Sequence, residues 1–432
     1  MTKKTDTPAI RFKGFSDTWE QRKLEDIYGS IGNAFVGTAT PYYVESGHFY
    51  LESNNIKDGQ INHNTEVFIN DEFYEKQKDK WLHTGDMVMV QSGHVGHAAV
   101  IPEELNNSAA HALIMFRNPK EEIEPYFLNY QYQTLKSKKK IENITTGNTI
   151  KHILASEMQQ FEVDMPELAE QKKIAEYFSG LDHLITLHQR EYEKLHNIKK
   201  SMLEKMFPKN GSNVPEIRFK GFTEAWEQRK LGEVLISLQN NTLSRADLSS
   251  EEGMAKNIHY GDVLVKFGEV IDVKTESLPM IGDETVIAKY KSSFLQNGDV
   301  IVADTAEDEA VGKCTEIAGL SDEIVISGLH TIPYRPLQKY APGYLGYYMN
   351  SPSYHNQLLP LMQGIKVTSI SKTALQNTDI LYPKSATEQA AIGRYFRNLD
   401  NLITLHQREL EKLQNIKKSM LEKMFVSEEK RK

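Results

Sequence analysis

The stretch that decides the fold is residues 170–207, EQKKIAEYFSGLDHLITLHQREYEKLHNIKKSMLEKMF, because it returns at residues 388–425 as EQAAIGRYFRNLDNLITLHQRELEKLQNIKKSMLEKMF. The two copies are identical at 29 of 38 positions. The first contains no proline and is rich in Leu, Glu, Lys, Met and Gln, which favour helices. Apolar residues three, four or seven positions apart form a stripe along each copy. Each copy is therefore predicted to be one long amphipathic helix.

The two predicted helices are expected to bury their stripes against each other as an intramolecular antiparallel pair. A lone helix of this length leaves its stripe in water, and each copy follows its own globular segment, so a pseudo-two-fold arrangement runs the helices in opposite directions. The alternatives are a helix lying on its own domain and pairing between two chains. The residues predicted to pack are Ile174, Phe178, Leu181, Ile185, His188 and Leu195 in the first helix and Ile392, Phe396, Leu399, Ile403, His406 and Leu413 in the second.

A second repeat opens each half of the chain. Residues 10–24, IRFKGFSDTWEQRKL, and residues 217–231, IRFKGFTEAWEQRKL, are identical at 12 of 15 positions. The segments between the repeats share only scattered anchors, which indicates one shared task for the helices and two different tasks for the segments. The predicted fold class is α+β, with mixed α/β domains at 1–165 and 211–383 and long helices at 166–210 and 384–432.

The variable segments carry matching local patterns. DMVMVQSG (86–93) and DVIVADTA (299–306) predict short apolar strands that start after Gly-Asp turns. The aromatic-rich stretch 126–143 predicts a single helix, in which Tyr126 and Tyr130 align with Tyr344 and Tyr348 of the second half. A polar loop follows in each half, TTGNTIKHI or QGIKVTSI, in which Gly147 aligns with Gly364.

Composition limits the possible functions. The chain has 51 Lys and Arg against 59 Asp and Glu, a net charge of −8, so charge alone gives no support to a nucleic-acid partner. One cysteine, Cys314, rules out an intramolecular disulfide and a multi-cysteine metal site. There is no apolar run long enough to span a bilayer and no apolar signal segment, so we expect a soluble protein of the cytoplasm.

Catalytic motifs are missing from the sequence. It lacks a phosphate-binding P-loop, an HExxH zinc motif and a GxSxG nucleophile elbow. The acidic residues of 304–309 could bind a divalent metal, but the first half has no counterpart, which favours a solvated loop. His94, His97 and His111 could form a site, but only His111 has a second-half counterpart, His330, so structural or DNA-facing roles are favoured. No catalytic, cofactor or metal site is predicted.

Basic and hydroxyl residues gather at the polar loop of each half. Lysine can hold phosphates, and Asn, Ser and Thr can read base edges. For each such residue taken alone a solvated face or a turn is the better interpretation, so the prediction rests on both halves placing these residues at the same position. The predicted DNA-binding residues are Lys138, Lys139, Lys140, Asn148, Thr149, Lys151 and His152 in the first half and Lys366, Thr368, Ser369 and Lys372 in the second.

The repeated openings, the repeated helices and the glycine loops before those helices resemble the specificity subunit of type I restriction–modification enzymes. This resemblance implies a non-catalytic subunit for host defence, in which each variable segment is a target recognition domain that reads one half of a bipartite, asymmetric DNA site. It also implies that the helices space these domains and dock two modification subunits, which use S-adenosylmethionine to methylate adenine. Restriction subunits, which are motor-nucleases using ATP and Mg²⁺, would join for cleavage. A coiled-coil scaffold and a stand-alone nuclease are the alternatives.

Overall fold

The computed structural model describes residues 7–147, 149–209 and 211–427. Contacts divide the chain into two units. Unit 1 holds the described residues up to Gln189 and those from Arg408 onward, and unit 2 holds Arg190–Gln407. The predicted limits at 166 and 384 follow the secondary structure, whereas the contacts group each variable domain with the first part of one long helix and the last part of the other.

Unit 1 mixes short strands and helices. Its strands are β1 (Glu20–Lys23), β2 (Tyr28–Asn33), β3 (Tyr43–Val44), β4 (His48–Leu51), β5 (Ile56–Lys57), β6 (Gln60–Ile61), β7 (Phe68–Ile69), β8 (Met87–Val90), β9 (Ala98–Val100), β10 (Ala109–Ala110), β11 (Leu113–Pro119) and β12 (Glu162–Met165). Its helices are α1 (Leu24–Ile27), α2 (Asp71–Glu75), α3 (Pro125–Tyr132), α4 (Leu135–Ile144), α5 (Ala155–Gln159) and the first part of α6 (Leu168–Lys205). An antiparallel sheet of order β2-β11-β8-β9 forms its centre, and a second sheet has the order β10-β4-β7-β3.

Unit 2 follows the same plan. Its strands are β13 (Glu227–Lys230), β14 (Leu235–Ser237), β15 (Ala255–Ile258), β16 (Val270–Asp272), β17 (Met280–Ile281), β18 (Val300–Ala303), β19 (Thr305–Ala306), β20 (Cys314–Ala318), β21 (Val325–Ser327), β22 (Thr331–Pro336), β23 (Thr368–Ser369) and β24 (Asp379–Tyr382). Its helices are α7 (Leu231–Val234), α8 (Tyr260–Val265), α9 (Glu284–Lys289), α10 (Tyr344–Asn350), α11 (Pro352–His355), α12 (Lys372–Gln376) and the first part of α13 (Ala386–Lys423). Its main sheet has the order β14-β22-β18-β20-β16.

The central strand of each main sheet is the apolar run that the sequence predicts. All four residues of β8 and all four of β18 are fully buried, because helices and neighbouring loops cover both faces. The predicted single helix at 126–143 is wrong, since the structure ends α3 at Tyr132 and begins α4 at Leu135. Thr134 makes this break, because its hydroxyl accepts a hydrogen bond from the Ser137 amide and caps α4.

A buried carboxylate ties the opening repeat of unit 1 to the start of α6. Glu170 accepts hydrogen bonds from Nε and Nη2 of Arg11 at 2.8 and 2.6 Å and from Nε1 of Trp19 at 3.1 Å. Glu170 is completely buried, and the hydrogen bond to it raises the pKa of Arg11. A carboxylate that is removed from water is stable only when its oxygens accept hydrogen bonds or pair with a positive charge in this way. We call this arrangement the Arg–Glu–Trp staple.

Unit 2 contains the same staple. Glu388, at the start of α13, accepts from Nε and Nη2 of Arg218 at 2.6 and 2.9 Å and from Nε1 of Trp226 at 3.3 Å. The opening repeat also forms a strand, β1 or β13, that pairs antiparallel with β12 or β24, the last strand before the long helix. The repeated opening therefore acts as an anchor for the helix that follows each domain.

The same opening repeat also binds the end of the other long helix. The Ile10 amide donates to the carbonyl oxygen of Lys423 at 2.9 Å in unit 1, and the Ile217 amide donates to that of Lys205 at 2.9 Å in unit 2. The last carbonyl groups of a helix have no partner within the helix, so these bonds satisfy part of that need. Each opening repeat thus joins the start of one long helix to the end of the other.

A polar cluster joins the domain of unit 1 to both helices. The Tyr130 hydroxyl donates to Asp182 of α6 at 2.9 Å, and Lys417 of α13 pairs with Asp182 at 2.6 Å. The Lys417 ammonium also lies 5.4 Å from the centre of the Tyr130 ring. Burial, and then the Asp182 charge, raise the pKa of Tyr130, so its hydroxyl stays a donor.

Unit 2 repeats the cluster with one addition. Tyr347 donates to Asp400 at 2.6 Å, and Lys199 pairs with both Asp400 and Glu269 at 2.6 Å. Burial lowers the pKa of Lys199, but the two carboxylates outweigh burial and leave it raised. The equivalent of Tyr130 is therefore Tyr347, and the sequence alignment of Tyr130 with Tyr348 is wrong by one residue. The Tyr348 hydroxyl instead donates to the Asp379 carbonyl oxygen.

The helices run antiparallel within each unit. In unit 1 the ring centres of Phe178 and Phe425 lie 5.9 Å apart. One turn later in α6, Asp182 pairs with Lys417, which precedes Phe425 in the sequence. The predicted antiparallel pair is thus confirmed within unit 1. The start of α6 also packs on its own domain, because Phe178 shares a core with Trp19. Within unit 1, α6 therefore packs both against α13 and against its own domain.

Unit 2 shows the same direction, with Phe207 stacked on Phe396 at 5.8 Å and Lys199 opposite Asp400. The residues predicted to pack fall into two groups by burial. The buried ones are Ile174, Phe178, Leu181, Ile392, Phe396, Leu399 and Ile403, and the half-buried ones are Ile185, His188, Leu195, His406 and Leu413.

Removing the arginine of one staple is expected to destabilise the protein. Arg11→Ala leaves Glu170 buried without its charged partner, which costs about 3 kcal/mol. Urea unfolding followed by tryptophan fluorescence measures this loss, and Arg218→Ala should give a similar one. Arg229→Ala, which removes an exposed pair with Glu227, serves as the control and should leave the unfolding midpoint nearly unchanged. An Arg11→Ala midpoint equal to that of this control would contradict the role of the staple.

Candidate nucleic-acid interface

Two loops meet at the end of the central strand of unit 1. The first, residues 91–97, follows β8, and we call it the strand loop. The second, residues 146–152, lies between α4 and α5, and we call it the glycine loop. The Gly93 amide donates to the Lys151 carbonyl oxygen at 3.0 Å, and the Ser92 hydroxyl lies 2.8 Å from Nδ1 of His152. These bonds hold the two loops as one surface.

Unit 2 places the same two loops at the end of β18. Its strand loop is residues 304–312, and its glycine loop is residues 363–369. Strands β19 and β23 pair the two loops antiparallel, and the Ile370 amide donates to the Asp304 carbonyl oxygen at 2.9 Å. The second unit therefore builds the surface from the same parts with stronger backbone pairing.

The glycine loops have the same backbone turn. Gly147 has φ of 96° and Gly364 has φ of 121°, values that side chains disfavour. A Cβ added to Gly147 would lie 2.2 Å from the Ile150 carbonyl oxygen, and one added to Gly364 would lie 2.0 Å from that of Val367. Both positions therefore require glycine, which explains why the sequence aligns them although most neighbouring residues differ.

The structure gathers some of the predicted DNA-binding residues of unit 1 and separates others. Lys138 and Lys151 line one cleft of about 360 Å³, together with His97 and Glu142. Lys151 lies 3.8 Å from a Glu142 oxygen. Lys139, Thr149 and His152 are exposed, and Asn148 lies outside the described residues.

Lys140 is placed differently from its neighbours in the sequence. Its ammonium donates to the Glu162 carbonyl oxygen at 3.2 Å and lies 5.7 Å from the centre of the Phe161 ring. The side chain therefore contacts the domain itself. Three of the predicted lysines, by contrast, have side chains on the surface of α4 and the glycine loop: Lys138, Lys139 and Lys151.

In unit 2 the predicted residues lie along the glycine loop and the start of α12. Lys366, Ser369 and Lys372 are exposed, and Thr368 is half-buried. Lys372 lines a cleft of about 550 Å³, which sequence reasoning missed because no repeated motif marks most of its polar residues. The cleft also contains Gln239, Asn240, Asp304 and Lys289.

The histidines of unit 1 that suggested a site have structural partners. Nε2 of His94 faces the Ser53 carbonyl oxygen at 3.0 Å, and Nδ1 of His97 accepts from the Asp58 amide at 3.1 Å. Burial lowers the pKa of His97, which suits the neutral, accepting form of the ring. Within the described residues, no group of three or more His, Cys, Asp or Glu side chains could hold a metal ion.

His111 lies in a different place, against the second sheet. Its Nε2 is 2.9 Å from the Gly37 carbonyl oxygen, and its Nδ1 is 3.6 Å from Glu52. The nearby Glu52 carboxylate raises the pKa of His111, and the His111 side chain in turn lowers the pKa of Glu52. Tyr43 donates to the same carboxylate at 2.6 Å. The charged pair is thus a stabilising contact inside the domain.

Comparison with known protein families identifies the two domains. The family described as type I restriction modification DNA specificity domain matches residues 16–197 and again residues 223–415. The chain belongs to this family. This membership confirms the prediction that the chain is a specificity subunit rather than an enzyme.

Relatives in this family align with nearly the whole chain. The type I restriction enzyme MjaVIII specificity subunit of Methanocaldococcus jannaschii is 24% identical over 422 residues, which are 94% of this chain and 91% of the relative. The putative MjaX specificity subunit of the same organism is 24% identical over 426 residues, 94% of this chain and 92% of the relative.

Solved structures share the fold. The S subunit of a type I restriction–modification system from M. genitalium superposes with a TM-score of 0.57 at 14% identity and covers 98% of this chain and 100% of its own. A chain from a study of complex assembly and conformational transition of the type I R-M system gives a TM-score of 0.51 at 16% identity, with coverages of 94% and 97%. Among the described residues, no helix has the length and apolar character of a membrane span.

The His111 contact predicts a pH-dependent stability. The pKa of His111 is raised above its unfolded value of about 6.5, so its contribution is complete below pH ~6.5 and is lost as pH rises through the folded pKa. Urea midpoints of wild type and His111→Gln should therefore differ more at pH 6 than at pH 8.5. Glu52→Gln should remove this change with pH. A difference that is equal at both pH values would rule out the charged pair.

Proposed function

We propose that each unit of this specificity subunit reads one half of a bipartite DNA site, and that the two halves differ in sequence. The observation that carries the proposal is the pair of loop surfaces, which share a backbone turn at Gly147 and Gly364 but carry different side chains. Equivalent scaffolds with unlike surfaces suit two readers with unlike targets. Exposed lysines beside the loops would hold the phosphates, and the hydroxyl and amide side chains would meet base edges.

The long helices are the proposed docking surface for two modification subunits. Each helix exposes two leucines that are identical in the two copies, Leu184 and Leu187 on α6 and Leu402 and Leu405 on α13, with exposures between 43% and 53%. Identical surfaces suit two equivalent partners. In this proposal the partners hold S-adenosylmethionine, ATP and Mg²⁺ and perform adenine methylation and, with restriction subunits, cleavage, whereas this chain holds no cofactor.

Exchanging one domain is expected to change one half of the target. Co-expression with the cognate modification subunit, followed by methylome sequencing, should reveal a single split motif. Replacing residues 25–165 by the corresponding segment of another specificity subunit should alter one half of that motif and leave the other half and the spacing intact, because the staples and helices are unchanged.

The matched exchange of residues 232–382 should alter only the opposite half. A motif that is unaffected by either exchange would refute the division of labour between the units. Cleavage of DNA by the purified chain with Mg²⁺ alone would favour a nuclease, and the absence of salt-dependent DNA affinity in the presence of partners would favour a protein scaffold.

Charged substitutions at the exposed leucines are expected to weaken partner docking. Leu184→Glu with Leu187→Glu should lower the number of bound modification subunits from two to one in native mass spectrometry, because an apolar contact would then bury unpaired charge. Leu402→Glu with Leu405→Glu should have the same effect. Val265→Glu, at a still more exposed position in a variable domain, serves as the control. Retention of two subunits by both helix variants would exclude this surface.

A further inference from the structure

The glycine loops present aliphatic side chains to solvent at their tips. In unit 2, Ile365 is 102% exposed and Val367 56% exposed, and in unit 1 Ile150, the equivalent of Val367, is 57% exposed. Large aliphatic side chains at such exposure lose the burial that normally stabilises them. Because an exposed aliphatic residue occurs at the same position of the glycine loop in both units, we read the position as part of a contact surface.

These tips are held in position by the backbone. Around the unit 2 tip, the Gln363 and Ser369 amides and carbonyls exchange hydrogen bonds at 2.9 and 2.8 Å, and the turn closes through Gly364. In unit 1, Thr146 and His152 exchange the equivalent bonds at 2.9 and 2.8 Å. A preorganised loop loses less conformational entropy on binding, which suits a specific contact.

The differences between the two copies favour DNA over a partner protein as the occupant. Surfaces for two equivalent partner subunits should be the same in both halves, as the exposed helix leucines are. At equivalent positions the tips instead read Thr149-Ile150-Lys151 in one half and Lys366-Val367-Thr368 in the other. Each aliphatic residue also has a lysine directly beside it, which suits a neighbouring phosphate.

The charges around the unit 2 tip indicate which part of the DNA it meets. Glu307 and Asp308 of the strand loop are exposed, and the strand loop is paired to the glycine loop through β19 and β23. Phosphates repel carboxylates, whereas the amino groups of cytosine and adenine in the major groove can donate to them. Exposed carboxylates beside the tip therefore suit a surface that faces base edges and not phosphates.

We propose that Ile365 and Val367, and in the other unit Ile150, are specificity-determining residues that contact thymine methyl groups in the major groove. The C5 methyl of thymine is the apolar group that base edges present there, and aliphatic side chains recognise it by direct contact. The inference rests on the proposed function. It assigns to these tips the recognition of T·A pairs within each half-site.

The test uses the complete methyltransferase complex and duplexes that carry the split motif found by methylome sequencing. Each thymine of the unit 2 half-site is replaced in turn by uracil, which removes only the methyl group. Burial of one methyl group corresponds to about fourfold in affinity. Wild type should therefore bind one uracil duplex about fourfold more weakly, and Ile365→Ala or Val367→Ala should bind thymine and uracil forms of that duplex equally.

Ile150→Ala should lose the same distinction in the unit 1 half-site and leave that of the unit 2 half-site intact, and Val265→Ala should change neither. Equal losses by the tip variants on thymine and uracil duplexes would overturn the inference, because the tips would then touch DNA without reading the methyl group. Unchanged binding by all three tip variants would also overturn it. Wild-type complex that binds the motif no better than a scrambled duplex would refute the proposed function itself.

Discussion

The rest of the structure depends on one buried carboxylate in each unit, Glu170 or Glu388, held by an arginine and a tryptophan from far away in the sequence. A buried carboxylate without partners would be too costly, so the opening repeat and the start of the long helix must come together. The backbone bonds from Ile10 and Ile217 extend this junction to the other helix. Each domain is therefore fixed to both helices through the same few residues.

The buried junctions and the loop surfaces place different requirements on the sequence. The staple, the Tyr–Asp–Lys cluster and the helix pairing are the same in both units, because each needs defined partners in a buried setting. The loops at the ends of β8 and β18 need only a shared backbone turn. Their side chains are free to differ, so unit 1 presents Lys151 and histidines there, while unit 2 presents Lys366 and the carboxylates of residues 307–309.

The sequence was sufficient for the parts of the fold that carry a repeat or a period. Both long helices, the central strands β8 and β18 and the glycine turns could be predicted, because each has a local pattern. The break at Thr134 was missed because a single capping threonine is a weaker signal than the helical composition around it. The shift from Tyr348 to Tyr347 was missed because neighbouring tyrosines cannot be told apart without the carboxylate that one of them contacts.

The candidate interface was predictable only in outline. Gly147 and Gly364 marked the loops, but residues such as Gln239 and Lys289 come from distant segments and share no motif. The partners of Glu170 carried a signal, since Arg11 and Trp19 are repeated with it, yet repetition alone does not reveal which residues meet. Such contacts depend on tertiary structure and require coordinates.

The bond between Ile10 and Lys423 has a consequence for biosynthesis. Unit 1 needs the last part of α13, so its core cannot be completed until the residues from Arg408 onward have been synthesised, after the whole of unit 2. Unit 2 contains only residues 190–407 and can finish earlier. Apolar groups such as Phe178, which pack against Phe425 in the finished protein, therefore wait for their partner during synthesis, and this interval is when a nascent chain is most exposed to aggregation or chaperone capture.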